Sequence, residues 1–98
     1  MLKIHKQYKA EQDLIAIWLY TFENFGIVQA DKYIDQIGNA LINVAQNPEI
    51  GVKVNSIRMG YRKYQVKEHT VFYNNEKSKI QVIRVLGNDM DYLHHLEE

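Results

Sequence analysis

The sequence predicts an α+β domain in which an N-terminal strand and an antiparallel helical hairpin pack on a three- to four-stranded antiparallel sheet, with a short helix at the C-terminus. Three observations carry that expectation. Apolar residues recur at helical spacing through the first half of the chain, the pattern changes to alternation in the C-terminal third, and glycine and proline fall where one pattern gives way to the next. Residues 1–98 are expected to form a single domain, which can bury a core without disulfides or metal because 46% of the chain is hydrophobic.

Leu2 to His5 is a brief apolar-alternating run suited to an edge strand. Ala10, Leu14, Ile17, Trp18 and Thr21 then recur at helical spacing as far as Phe25, and Gly26 ends this helix as a C′ glycine does. Ala30, Ile34, Ile37, Leu41, Val44 and Ala45 form a second apolar stripe, with Asp31, Lys32, Asp35, Gln36 and Asn39 on the opposite side, until Pro48 and Gly51 stop it. So short a connection makes the two helices an antiparallel hairpin whose stripes face a common partner. That partner is the sheet. Strands are expected at Tyr61 to Val66, His69 to Tyr73 and Lys79 to Leu86, joined by turns at Lys67-Glu68 and Asn74 to Ser78. Met90 to Leu96 closes the chain as a short helical turn, with Asp91 placed to cap it.

Composition excludes several classes. The absence of cysteine removes disulfide frameworks, thiolate zinc sites and thiol nucleophiles, and fits a reducing cytoplasm. Lys3, His5, Lys6 and Lys9 interrupt every apolar run near the N-terminus, so no secretory h-region is expected, and no segment reaches the roughly 20 apolar residues of a membrane span. A cytoplasmic protein without membrane association is the expectation.

Charge is segregated rather than abundant. The chain is neutral overall, yet from Ile50 to Asn88 eight basic residues stand against only Glu68 and Glu76, leaving this segment at +6. If helices cover one face of the sheet, the other face is wet, and Arg62 and Arg84 are expected to share it as a rigid anion-recognition surface. Lys63, Lys67, Lys77 and Lys79 read as solvated charge, and Tyr61, Tyr64 and Tyr73 as stacking or core residues. His5, His69, His94 and His95 are not spaced to converge on a metal, and no metal or cofactor is expected. There is no Gly-x-Ser-x-Gly elbow and no phosphate-cradling glycine loop. The cations lack a convincing acid and base: His69 and Tyr92 are the nominees, and each is equally explained by packing, so no catalytic residue is assigned.

Read in order, EQDLIAIWLYTFENFG, QADKYIDQI, AQNPEIGVKV, GYRKYQVKEHTVFY and IQVIRVLGNDMD make the chain resemble, over nearly its whole length, the ParE branch of the RelE/ParE toxin superfamily. The resemblance implies a type II toxin neutralised by a ParD-like antitoxin, with DNA gyrase, its A subunit foremost, as target and no sequence-specific DNA binding by the toxin alone. The nuclease branch carries several basic sheet residues with a tyrosine or histidine near the C-terminus. Arg62 falls where the superfamily has a sheet arginine, but Asn88 stands about where that branch has another, which argues against RNA cleavage. The RVLH-x-x-MD ending usual in the ParE branch reads RVLGNDMD here, with Gly87 in place of histidine.

Candidate target-binding residues are therefore Arg58, Arg62, Arg84, Met90, Tyr92 and His94, with the tail from Met90 to Glu98 expected to engage the target. Candidate antitoxin-binding residues are Trp18, Tyr20, Phe22, Phe25 and Tyr33, an aromatic surplus too large for so small a core, among which Trp18 is the one best suited to the core. A non-enzymatic gyrase poison is the leading expectation. The alternatives are a ribosome-dependent mRNA endonuclease and a non-toxic antitoxin-binding relative.

Overall fold

In the computed structural model, which describes residues 1–96, the elements run β1 (Lys3–Lys6), α1 (Tyr8–Phe25), α2 (Ile27–Gln46), β2 (Val52–Lys53), β3 (Tyr61–Val66), β4 (His69–Glu76), β5 (Lys79–Gly87) and α3 (Tyr92–Leu96). The α+β class and the helical hairpin are as the sequence predicts. One residue joins α1 to α2. Gly26 sits at φ +90° and ψ 171°, a region that other residues enter only under strain, and its N–H closes α1 on the Phe22 carbonyl at 2.9 Å.

The sheet differs from the expectation. It has five strands in the order β1-β5-β4-β3-β2, and it is mixed: β1 runs parallel to β5, pairing Lys3 with Lys79, while the remaining pairs are antiparallel. A four-residue strand carries the same alternation whichever way its neighbour runs, and the neighbour lies at the other end of the chain, so local pattern could not reveal the direction. The two-residue β2 is too short to show any alternation at all.

β4 continues to Glu76, and the turn narrows to Lys77 and Ser78, both at positive φ (54° and 61°). That is the primed geometry whose twist suits a two-residue hairpin. A register shift between Phe72 and Tyr73 pairs Phe72 with Arg84 but Tyr73 with Val82, leaving Ile83 without a partner. This bulge puts Val82 and Val85, three residues apart, in the same cluster and accounts for the imperfect alternation of β5.

The main core lies between the hairpin and one sheet face, where Ile17, Ile37, Leu41 and Val44 meet Val71, Tyr73 and Val82. Tyr73 is fully buried, and its hydroxyl donates to the Pro48 carbonyl (2.7 Å) and accepts from the Gly51 N–H (2.9 Å), which pins the chain leaving α2 to the sheet. Gly51 permits that approach, since a Cβ there would lie 2.5 Å from the tyrosine oxygen. A second, smaller cluster occupies the opposite face: Val54, Tyr61, Phe72, Ile83, Leu86 and Leu96. The face expected to be open to solvent is therefore partly roofed by α3 and by the loop after β2.

Candidate functional site

Cross-strand register puts Tyr61, Lys63 and Gln65 of β3 on the sheet face turned away from the hairpin, beside Thr70 and Phe72 of β4. Over them lies α3. Its start is capped as the sequence predicts, Asp91 Oδ1 accepting the His94 N–H at 3.4 Å, while Leu96 enters the second cluster and the Tyr92 ring sits 5.4 Å from Phe72. Lys63 Nζ stands 5.6 Å from the Tyr92 centroid, beside a cleft of about 190 Å³ that Asn88 also lines. Asn88 is a brace: its Oδ1 accepts from Thr70 Oγ1 and its Nδ2 donates to the Lys67 carbonyl, both at 2.7 Å. Met90 Sδ accepts the Gly87 N–H at 3.2 Å, and His94 packs edge-on against His95. Of the tail from Met90 to Glu98, the last two residues lie outside the described residues.

The two strand arginines do not share an exposed face. Arg62 pairs across the strands with Tyr73, on the hairpin side, and its Nη1 donates to the carbonyls of Gly51 (2.8 Å) and Glu49 (3.2 Å). Arg84 pairs with Phe72 and belongs to the other side, where its Nε and Nη2 meet the Asp13 carboxylate at 2.7 and 2.9 Å. Asp13 also accepts the Val85 N–H at 2.9 Å. β1 stops pairing at Val82, so the β5 edge beyond it needs a cap, and a carboxylate from α1 supplies one while neutralising the arginine. Arg58, by contrast, is exposed in the loop before β3, its guanidinium 5.9 Å from the Tyr61 ring centroid.

The aromatic surplus is mostly outside. Tyr20, Phe22 and Phe25 are exposed, and Phe22 stacks on Trp18 at 5.2 Å with the rings 6° from parallel. Trp18 is half-buried on the hairpin rather than in the core, because its Nε1 donates to Asp31 of α2 at 2.9 Å. Tyr33 is the exception: only 8% exposed, it packs in the main core and shows little more than its hydroxyl end to a groove. Sequence reasoning missed Ile15 and Leu19, which with Phe22 form an exposed stripe spaced i, i+4, i+7 along α1. The available signal was that both are apolar yet out of phase with Ala10, Leu14, Ile17 and Thr21.

At the hairpin tip a groove of about 460 Å³ runs between Tyr20, Phe25 and the β3–β4 turn. On its floor the Tyr33 hydroxyl lies 2.6 Å from His69 Nδ1 and 3.4 Å from the Val66 carbonyl. Burial lowers the His69 pKa below its ordinary 6.5, although the carboxylates of Glu68, Asp89 and Asp13 pull it upward. Burial likewise raises that of Tyr33 above its ordinary 10.0. The pair is thus held uncharged near neutrality, as a bridge from α2 to the sheet. His69 is the cross-strand partner of Gly87, so an imidazole stands directly across from the position where the resemblance places one. Among the described residues no three His, Asp or Glu side chains gather as metal ligands, and no helix is long and apolar enough to cross a membrane.

Against known proteins, residues 6–92 match the family described as the ParE toxin of the type II toxin-antitoxin system parDE. Toxin ParE1 of Mycobacterium tuberculosis is 39% identical over 83 residues, covering 84% of this chain and 85% of that protein. Toxin ParE1 of Caulobacter vibrioides is 32% identical over 88 residues, covering 90% and 91%. In fold, the chain superposes on one from the chromosomal ParDE system of P. aeruginosa with a TM-score of 0.77 at 21% identity, covering 89% and 96%. It also superposes on a chain of the YoeB–YefM complex from Staphylococcus aureus with a TM-score of 0.58 at 19% identity, covering 88% and 95%. With the sequence match spanning the hairpin, all of the sheet from β2 onward and the start of α3, the chain belongs to the ParE toxin family of type II toxin–antitoxin systems.

Proposed function

We propose that this toxin poisons DNA gyrase by binding it, engaging the target through α3 and the sheet face beneath, and that a ParD-like antitoxin neutralises it by covering the hairpin. The observation that carries this reading is the internal commitment of the polar groups a nuclease would turn toward phosphate. Arg84 is held by Asp13, Arg62 by two backbone carbonyls, and Asn88 by Thr70 and the Lys67 carbonyl. A target that is held rather than cut needs surface complementarity, and Arg58, Met90, Tyr92 and Leu93 supply exposed groups for it. On the other side, Ile15, Leu19 and Phe22 offer the i, i+4, i+7 anchors that an amphipathic partner helix uses. Purified toxin is expected to block supercoiling by gyrase and to leave cleaved DNA trapped on the enzyme. Normal supercoiling with toxin in excess excludes gyrase as the target.

One observation favours the nuclease reading instead: Lys63 of the sheet and Tyr92 of α3 stand together over the 190 Å³ cleft, a basic residue beside a C-terminal tyrosine. Under it, induction produces new cuts in messages at the ribosomal A site. Intact messages by toeprinting eliminate it.

A further inference from the structure

A cleft of about 660 Å³ opens beside the groove at the hairpin tip, where the C-terminal half of α1 passes over the end of the sheet. Ala16 and Tyr20 stand on its helical wall, and the β3–β4 turn and the loop after β5 form the wall opposite. That opposite wall carries two carboxylates, Glu68 and Asp89, both on exposed residues. The Asn88 N–H donates to the Glu68 carbonyl at 2.9 Å, which holds the two segments, and so the two acids, side by side. Among the described residues no lysine or arginine lines this cleft, and neither carboxylate stands in a salt bridge. Lys67 belongs to the neighbouring groove alone. His69, on the floor, is kept uncharged near neutrality by burial and does not neutralise them.

The other surfaces narrow the choice of cation. Tyr20 and Phe25 line the same cleft and are 65% and 68% exposed, so a broad aromatic surface faces the acidic wall. A bare metal ion would use the carboxylates and leave the rings idle. A guanidinium on its apolar stem uses both, since its fork matches carboxylates and its flat face and stem pack on aromatic rings. The source of the arginine follows from position. Ala16 and Tyr20 are each one residue on from Ile15 and Leu19, so a chain lying along the exposed α1 stripe passes the mouth of the cleft.

We infer that this cleft seats an arginine of the antitoxin segment that covers the hairpin, with its stem against Tyr20 and Phe25 and its guanidinium at Glu68 and Asp89. The inference rests on the antitoxin reading proposed above and adds to it a polar anchor beside the apolar stripe. Calorimetry of the full-length toxin with the ParD-like antitoxin separates the two. Absence of any complex overturns both; with a complex formed, the cleft is judged alone. Glu68→Gln together with Asp89→Asn is then expected to weaken binding about tenfold. Glu49→Gln together with Glu76→Gln, which removes the same charge from exposed positions outside the cleft, should leave affinity within about twofold. Replacing the antitoxin arginines one at a time with alanine should reveal one whose loss costs about tenfold against the unaltered toxin and almost nothing further against the Glu68→Gln, Asp89→Asn toxin. Three results each overturn the inference while the antitoxin reading stands: a complex indifferent to neutralising Glu68 and Asp89, an equal loss from the Glu49 and Glu76 pair, or losses that simply add for every antitoxin arginine.

Discussion

Asp13 illustrates how much one side chain decides here. Its carboxylate takes the Arg84 guanidinium and the Val85 N–H together, with both side chains near nine-tenths buried (13% and 14% exposed). Asp13→Ala takes the carboxylate from a largely buried guanidinium and the acceptor from an edge N–H at once, and is expected to lower unfolding free energy by about 2–4 kcal/mol in urea titrations. Nothing in the local sequence marks Asp13, since its partner lies on the last strand. His69 gives a second residue-level expectation. Its folded pKa lies below the unfolded value of 6.5, so on acidification the unfolded chain takes up the proton first. The stability conferred by neutral His69 is complete above about pH 6.5 and is lost as pH falls through the depressed folded value. Glu68, Asp89 and Asp13 oppose the shift without reversing it. His69→Gln should flatten that part of the stability–pH profile, measured by thermal melts between about pH 7.5 and 5.

Among the elements, the helices were legible because each buries one stripe against one surface, and the 3.6-residue period survives intact. The β4–β5 turn was legible only roughly. Lys77 and Ser78 occupy left-handed conformations that glycine and asparagine tolerate better. Replacing them with Asn-Gly is expected to stabilise the protein by about 1 kcal/mol, read as a higher urea midpoint at unchanged slope. That the C-terminal turn closes the core was legible in the sequence, but not which sheet residues it covers. Five residues cannot hold a helix alone, so α3 depends on Leu96 and Tyr92 packing over Phe72 and its neighbours. Deleting Asp91 to Glu98 uncovers that cluster and should cost about 2–4 kcal/mol of stability, measured by the same titration.

At the scale of the molecule, the sheet separates two surfaces: the hairpin with its exposed α1 stripe on one side, and α3 with its flanking cleft on the other. Under the proposed function this separation predicts a double dissociation. Leu19→Asp should weaken antitoxin binding at least tenfold in calorimetry while toxicity in cells persists, and Tyr92→Ala should reduce toxicity while antitoxin affinity holds. Period, punctuation and charge segregation were enough to establish the α+β class, the hairpin, the strand meander and the presence of an aromatic surplus, because each is a property of neighbours along the chain. The parallel placement of β1, the bulge that sends Arg62 and Arg84 to opposite faces, the capture of Arg84 by Asp13 and the cleft that sets Tyr20 across from Glu68 and Asp89 were decided only by tertiary contact. All join residues remote in sequence, and a side chain's role in such a site depends on which partner the fold brings within hydrogen-bonding range.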